Sequence, residues 1–85
     1  TSITSTSEVV GTPVQINPEQ TGTSTALCPQ GTVLTGGGYR VGNPAVIVTV
    51  NERSNNNNQS WTVTAVNLGG NQASVTAVAE CAAVS

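Results

Sequence analysis

The sequence predicts an all-β fold, a small antiparallel β-sandwich or jelly-roll-like barrel of about seven strands with one disulfide. Three features of the chain support this prediction. Runs of alternating residues rich in valine and threonine recur along its length. Clusters of glycine, proline and asparagine separate those runs and are typical of turns. Finally, 85 residues suffice for one domain, which two cysteines could cross-link.

Cys28 and Cys81 are the two cysteines of the chain. A domain of this size buries only about 60–65% of its unfolded surface, so its core is marginal without a further constraint. A bond between the two cysteines would close a loop of about fifty residues and contribute roughly 4 kcal/mol by restricting the unfolded state. Two buried free thiols are the alternative. The small, polar composition favours the disulfide and an oxidising, extracellular location.

The chain carries few charges. Its acids are Glu8, Glu19, Glu52 and Glu80, and its bases are Arg40 and Arg53. Two arginines cannot form the basic face that phosphate groups require, which argues against binding of nucleic acid. No apolar run approaches the length that spans a bilayer, so membrane insertion is not expected. Solubility that depends on hydroxyl and amide groups favours a surface packed in an assembly or exposed outside the cell.

Residues 1–16 are predicted to be an extended arm that precedes a disulfide-stapled β domain over residues 17–85. The first ten residues form a strand pattern, and a break at residues 11–13 precedes a short second extended piece. Two interpretations of the arm remain open. It adds a strand to the sheet of a neighbouring subunit, or it is an ordinary edge strand of its own domain or a frayed tail. The residues assigned to the arm's contacts are Ile3, Thr4, Thr6, Val9, Val10, Val14 and Ile16.

Residues 28–41 follow a segment, residues 19–25, that is predicted to be a loop. They begin with a cysteine and a Pro-Gln-Gly turn, and they are then extended until Gly36, Gly37 and Gly38. Three glycines inside a strand are costly in conformational entropy and indicate a bulge, a sharp bend or a close backbone approach. They have neither the lysine nor the spacing of a phosphate-binding loop. We therefore predict a structural bend.

Residues 45–50 are the most apolar run and are predicted to be the central strand, because both of their faces are apolar. A turn at residues 42–44 precedes them. Residues 51–60 contain four consecutive asparagines, which favour a hairpin tip in water or at a contact surface. Residues 58–60 form a glycosylation sequon, which matters only in a eukaryotic producer.

Residues 61–67 and 73–81 alternate apolar and polar positions in the same rhythm. The glycine-rich turn between them makes the pair a predicted β-hairpin. Cys81 falls on the apolar face of the second run, so a disulfide there would lie in the core. An isolated tryptophan in a strand of valine and alanine is usually packed, and a stacking platform for a sugar or base is the alternative. The core is assigned to Trp61, Val63, Val75 and Ala77.

Three segments carry a recognisable pattern. They read C-P-x-G-T-x-x-x-G-G-G-Y at residues 28–39, W-T-V-T-A-x-N at residues 61–67 and S-V-T-A-x-A-x-C-A at residues 74–82. This pattern resembles a small disulfide-bonded β-domain that recurs in secreted bacterial proteins and in collagen-like or phage-fibre-like chains. Residues 1–25 lie outside the resemblance. It implies an extracellular structural module paired through its two cysteines, and it carries over no catalytic residue.

The residue types that carry catalysis are missing or scattered. The chain has no histidine or lysine to serve as a base for its many hydroxyl groups, and no two glutamates are close in sequence. With no histidine or aspartate, and with two cysteines expected to be bonded to each other, the ligands for zinc or calcium are also lacking. We therefore expect no enzyme, no cofactor and no metal site.

The function that the sequence favours is that of a structural subunit of an extracellular fibre, pilus-like filament or surface lattice. Such a homo-oligomer would assemble through strand addition and sheet-edge contacts, because long edge strands with few charges pair readily. The alternative is a secreted adhesion or carbohydrate-binding module, with a glycan ligand at Trp61, Tyr39 and residues 54–60. An enzyme, such as a small secreted hydrolase, is the third and least favoured class.

Overall fold

The computed structural model describes residues 2–54 and 59–84. Over this part of the chain seven strands form two antiparallel sheets, and there is no helix that could span a membrane. The all-β sandwich expected from the sequence is confirmed. The strands are β1 (Ile3–Val10), β2 (Val14–Ile16), β3 (Thr21–Leu27), β4 (Thr32–Val41), β5 (Val46–Arg53), β6 (Ser60–Asn67) and β7 (Ala73–Val84).

The first sheet is built around β7, the longest strand, and is called here the β7 sheet. β4 pairs along one side of β7, while β1 and β2 follow one another along the other side. The second sheet, the β6 sheet, has the order β3-β6-β5. Each sheet is therefore three strands wide, with a single central strand.

The prediction that residues 45–50 form the central strand is wrong, because β5 is an edge strand of the β6 sheet. Its two apolar faces predict burial on both sides. At the edge of the sheet the outward face remains in water, and Ile47 is 46% exposed. The central positions belong to β6 and β7, whose polar residues alternate with small apolar ones.

The predicted hairpin of the last two strands is also wrong, because β6 and β7 lie in different sheets. The turn between them carries the chain from the β6 sheet to the β7 sheet, so that β7 does not pair with β6. Asn67 directs this crossing: its Oδ1 accepts a hydrogen bond from the N–H of Gly69, and its Nδ2 donates to the carbonyl of Asn71. These local bonds close the chain into a bend that leaves the plane of the β6 sheet.

The sequence predicts a loop at residues 19–25, and this prediction is wrong because most of these residues belong to β3. The threonines of this strand point outward, while Ser24 and Ala26 are buried. Polar alternation of this kind produces a strand with one wet face. The expected hairpin between β5 and β6 does form, and the N–H of Ser54 donates to the carbonyl of Ser60 at 3.0 Å. The asparagine run at residues 55–58, with the first residue of the sequon, lies outside the described residues.

The core lies between the two sheets and is made mainly of small side chains. Val63, Val75 and Ala77 are completely buried, whereas Trp61 is half-buried and packs against the edge of the cluster. The predicted disulfide between Cys28 and Cys81 is confirmed. Because Cys28 follows β3 and Cys81 lies within β7, the bond joins the two sheets inside the core.

The glycine stretch lies inside β4 and stays paired with β7 throughout. A register shift between Leu34 and Gly36 marks a bulge at the start of the glycines. Only Gly37 is forced by packing, because an added Cβ would lie 2.5 Å from the ring of Trp61. An added Cβ on Gly36 or Gly38 would meet open space. The stretch therefore combines a bulge with one close approach.

Candidate functional site

The candidate functional surfaces are the edges and outer faces of the two sheets. Over residues 2–54 and 59–84 no group of acidic, cysteine or histidine side chains is arranged to hold a metal, and no ligand-sized cavity was found. Besides the short β2, four strands have an edge that faces away from their own sheet. They are β1 and β4 in the β7 sheet, and β3 and β5 in the β6 sheet.

β1 lies on the edge of its own domain, antiparallel to residues 78–84 of β7. This placement corresponds to the second of the two interpretations of the arm. Along β1 the side chains of Ile3, Thr4, Thr6 and Val10 are exposed, and Val9 alone is half-buried. The strand is therefore attached mainly through its backbone ladder to β7.

β2 is attached quite differently from β1. Ile16 is buried in the core, and Val14 is partly buried against it. Gly22 of β3 lies directly beneath this contact, since an added Cβ would come within 2.8 Å of the Ile16 side chain. The predicted arm thus consists of a peripheral strand and a short anchor.

Residues 11–13 separate the peripheral strand from the anchor. The N–H of Gly11 donates to the carbonyl of Ala77 at 2.8 Å, and the hydroxyl of Ser24 donates to the carbonyl of Thr12 at 2.8 Å. Pro13 has no N–H with which to continue the ladder. The break between β1 and β2 is therefore fixed to both sheets.

Two side-chain contacts tie β1 to the rest of the β7 sheet. Arg40 Nη2 on β4 donates to Glu8 Oε1 at 2.8 Å, reaching across the outer face of β7. Thr4 Oγ1 donates to the carbonyl of Ala83 at 3.3 Å. The ion pair is exposed, with Arg40 at 61% and Glu8 at 47%, so solvent screening leaves it little net stabilising effect.

The outward edges carry few of the devices that usually prevent strands from pairing between molecules. β3 has no charged residue, and all seven of its residues pair with β6 without a register shift. β1 has Glu8 as its single charge and a register shift near its start, between Ile3 and Ser5. β5 is better protected, with Glu52, Arg53 and a register shift between Val48 and Val50.

The two aromatic residues both lie at β4, Tyr39 as part of the strand and Trp61 packed against it from the other sheet. Trp61 packs over Gly37, and its Nε1 donates to Asn51 Oδ1 at 2.7 Å. Tyr39 lies two residues further along β4 and is 46% exposed. The two aromatic groups named for the glycan alternative are therefore both placed along β4.

The described part of the 54–60 segment is bound to neighbouring strands. Gln59 Oε1 accepts a hydrogen bond from the N–H of Leu34, and its carbonyl accepts one from Cys28. Ser54 lies within hydrogen-bonding reach of the hydroxyl groups of both Thr62 and Ser60. These residues support the disulfide end of the sandwich.

Sequence reasoning missed two buried polar residues that organise these surfaces. Ser24 connects the break between β1 and β2 to the opposite sheet. Asn67, which is completely buried, holds the crossing between the sheets and donates to the carbonyl of Ile16 at 2.9 Å. The only sequence signal was a polar side chain at an inward position of an alternating strand, which is weak in a chain so rich in serine, threonine and asparagine.

Comparisons with family models, with curated proteins and with solved structures find no significant match to this chain. The resemblance to small disulfide-bonded β-domains therefore rests on the residue pattern alone. The disulfide that it implied is present.

Proposed function

We propose that this chain is a structural subunit of an extracellular fibre, pilus-like filament or surface lattice that assembles through strand addition and sheet-edge contacts. The observation that carries this proposal is β1, an eight-residue edge strand whose side chains are almost all in water and which has a single charge. An edge of this kind presents unpaired backbone groups to any second chain. The same holds for the uncharged edge of β3.

The compartment and the surface chemistry agree with this proposal. The buried disulfide between Cys28 and Cys81 is typical of oxidising, non-cytoplasmic environments. The formal net charge of −2 gives weak repulsion between copies, so nothing in the charge balance opposes close packing. Of the two formal cations, Arg40 is already paired with Glu8 within the sheet.

The proposal is tested by following self-association of the purified chain by sedimentation velocity and negative-stain microscopy over a range of concentrations. Wild-type protein is expected to form ordered assemblies. Thr6→Lys on β1 and Thr23→Lys on β3 place charge on two edges and should reduce assembly strongly. Thr64→Lys adds the same charge to the central strand β6 and is the matched control. Separate small particles of wild-type protein at every concentration would refute the proposal.

A secreted adhesion or carbohydrate-binding module is the second candidate, favoured by the shared position of Tyr39, Trp61 and Asn51. Aromatic rings beside amide groups are suited to stacking and hydrogen bonding with sugars. Titration of the chain with soluble oligosaccharides should then shift the tryptophan emission, and Tyr39→Ala should weaken the response. Emission that stays unchanged at saturating glycan would remove this candidate.

A further inference from the structure

We infer that β1 is an exchangeable strand: in assemblies it leaves its own sheet upstream of Gly11 and occupies the same place beside β7 of a second copy. This inference rests on the proposed self-assembly and specifies its mechanism. The occupant of the vacated edge is thus the β1 of another molecule of this chain. The exchanged strand makes the same backbone ladder that it makes within one molecule.

The first support is that the core does not depend on β1. The buried cluster between the sheets draws its members from β2, β3, β5, β6 and β7 and from Cys28. Val9 is the one β1 side chain that packs against it. Because β1 contributes so little buried apolar surface, its release costs mainly backbone hydrogen bonds, which water or a second copy can replace.

The second support is that β7 remains held in place when β1 leaves. β4 pairs with residues 75–83 of β7, and β2 pairs with residues 73–75. Cys81, in the middle of the segment that β1 covers, is bonded to Cys28. The vacated edge is therefore a rigid, preformed acceptor for an extended segment.

The third support is the position of the break between β1 and β2. Gly11 and Thr12 are clamped by hydrogen bonds to Ala77 and Ser24, and Ile16 anchors the next strand. These contacts define how far the release of β1 can spread. An added Cβ on Gly11 would collide with the carbonyl of Thr25, so this segment is packed closely on β3 and stays in place while the chain upstream of it turns away.

Strand exchange also explains why assembly would depend on concentration. Within one molecule β1 meets its acceptor at an effective concentration on the order of millimolar, so the closed form dominates in dilute solution. Exchange adds no new contact, so the population of exchanged molecules rises only as the protein concentration increases. When two molecules exchange β1 reciprocally, both acceptor edges are filled and a dimer results. When the exchange is not reciprocal, one acceptor edge remains open and a chain of subunits can grow.

The ion pair between Glu8 and Arg40 gives a direct test, because exchange turns it into a contact between molecules. The test is made at low ionic strength and in a Glu80→Gln background, because Glu80 is the direct cross-strand partner of Glu8. In that background Glu8→Arg and Arg40→Glu each place like charges at this contact in a closed molecule. Mixed one to one, they regain attraction only if the β1 of one variant lies on the β7 sheet of the other. We expect several-fold more assembly in the mixture than in either variant alone. The double variant Glu8→Arg with Arg40→Glu should assemble by itself, as wild type does.

Cross-linking provides the second measurement. Val10 and Val78 are partners across β1 and β7, so Val10→Cys mixed with Val78→Cys should form a disulfide between the two variants. Ile47→Cys, on the edge of the other sheet, mixed with Val78→Cys is the control. We expect at least a tenfold excess of the first cross-linked pair on non-reducing gels.

The outcomes separate the two proposals. Equal cross-linking of the two mixtures, in protein that still assembles, would overturn strand exchange and leave the structural role standing. No gain in assembly on mixing the charge variants, when wild type and the double variant both assemble, would overturn it as well. Absence of any wild-type assembly would overturn the proposed function and strand exchange with it.

Discussion

The hydroxyl oxygen of Ser24 accepts a hydrogen bond from the backbone N–H of Ala77 at 2.9 Å and so joins the two sheets inside the core. Ala77 needs this partner because residues 11–13 interrupt the strands that pair with β7 on that side. The same hydroxyl donates to the carbonyl of Thr12. One serine thus satisfies two backbone groups at the place where the sheet ladder is broken.

Ser24→Ala is expected to lower the free energy of unfolding by about 1–3 kcal/mol, because it leaves the buried N–H of Ala77 without a partner. Denaturation in urea measures the change. Thr23→Ala, one residue away on the outer face, loses only the bond to Thr64 and should cost less than about 1 kcal/mol. Equal losses in the two variants would show that Ser24 has no special role.

Gly37→Val should destabilise the domain by about 1–3 kcal/mol, because the new side chain overpacks the contact between β4 and the Trp61 ring. Its Cβ would lie 2.5 Å from the Trp61 ring and 2.6 Å from the carbonyl oxygen of Val78, and the latter is backbone that cannot turn aside. Gly38→Val is the control, since that position opens to free space. Denaturation curves and tryptophan emission should change in the first variant and stay close to wild type in the second.

Gly36, Gly37 and Gly38 show how much of the local structure could be predicted from the sequence. Three consecutive glycines in a strand predicted a structural bend, and the structure shows a bulge at their start and a close approach at Gly37. Which glycine is required depends on Trp61, a residue of the opposite sheet. The strand Thr21–Leu27 could not be recognised from the sequence for a different reason, because its outward-facing threonines give it the composition of a loop.

The assignment of strands to sheets could not be predicted, because the alternation of residues along a strand does not specify its neighbours. Alternation along β6 and β7 fixes which side chains face inward, and Val63, Val75 and Ala77 lie in the core as assigned. It does not determine which neighbour each strand pairs with. That choice depends on whether the intervening turn returns or crosses, and here Asn67 makes it cross.

Replacement of both Cys28 and Cys81 by alanine is expected to cost roughly 4 kcal/mol, because the bond restricts a long loop in the unfolded chain. The two residues are 53 positions apart and their Cα atoms lie 5.8 Å apart. Thermal unfolding of the variant and of wild type measures the loss. Since both cysteines are buried, native wild type should resist reductant until it unfolds. A variant as stable as wild type would mean that packing alone holds the sheets together.

Asn67→Ala should lower the free energy of unfolding by about 1–3 kcal/mol for the buried partners that it leaves unpaired. The side-chain amide donates to the carbonyls of Ile16 and Asn71 and accepts from the N–H of Gly69. Asn67→Asp should cost more at neutral pH. It keeps an acceptor for Gly69, but it places a negative charge against two carbonyl oxygens at a position that solvent does not reach.

Asn43→Ala is the matched control, because Asn43 also organises a turn between the two sheets, where its Oδ1 accepts one hydrogen bond from the N–H of Ala45. This loss should be smaller, since the residue is only half-buried. Urea denaturation should therefore give the lowest free energy of unfolding for Asn67→Asp, a higher one for Asn67→Ala and the highest of the three for Asn43→Ala. A milder effect of aspartate than of alanine would show that Oδ1 alone holds the crossing, and that the two donated bonds contribute little.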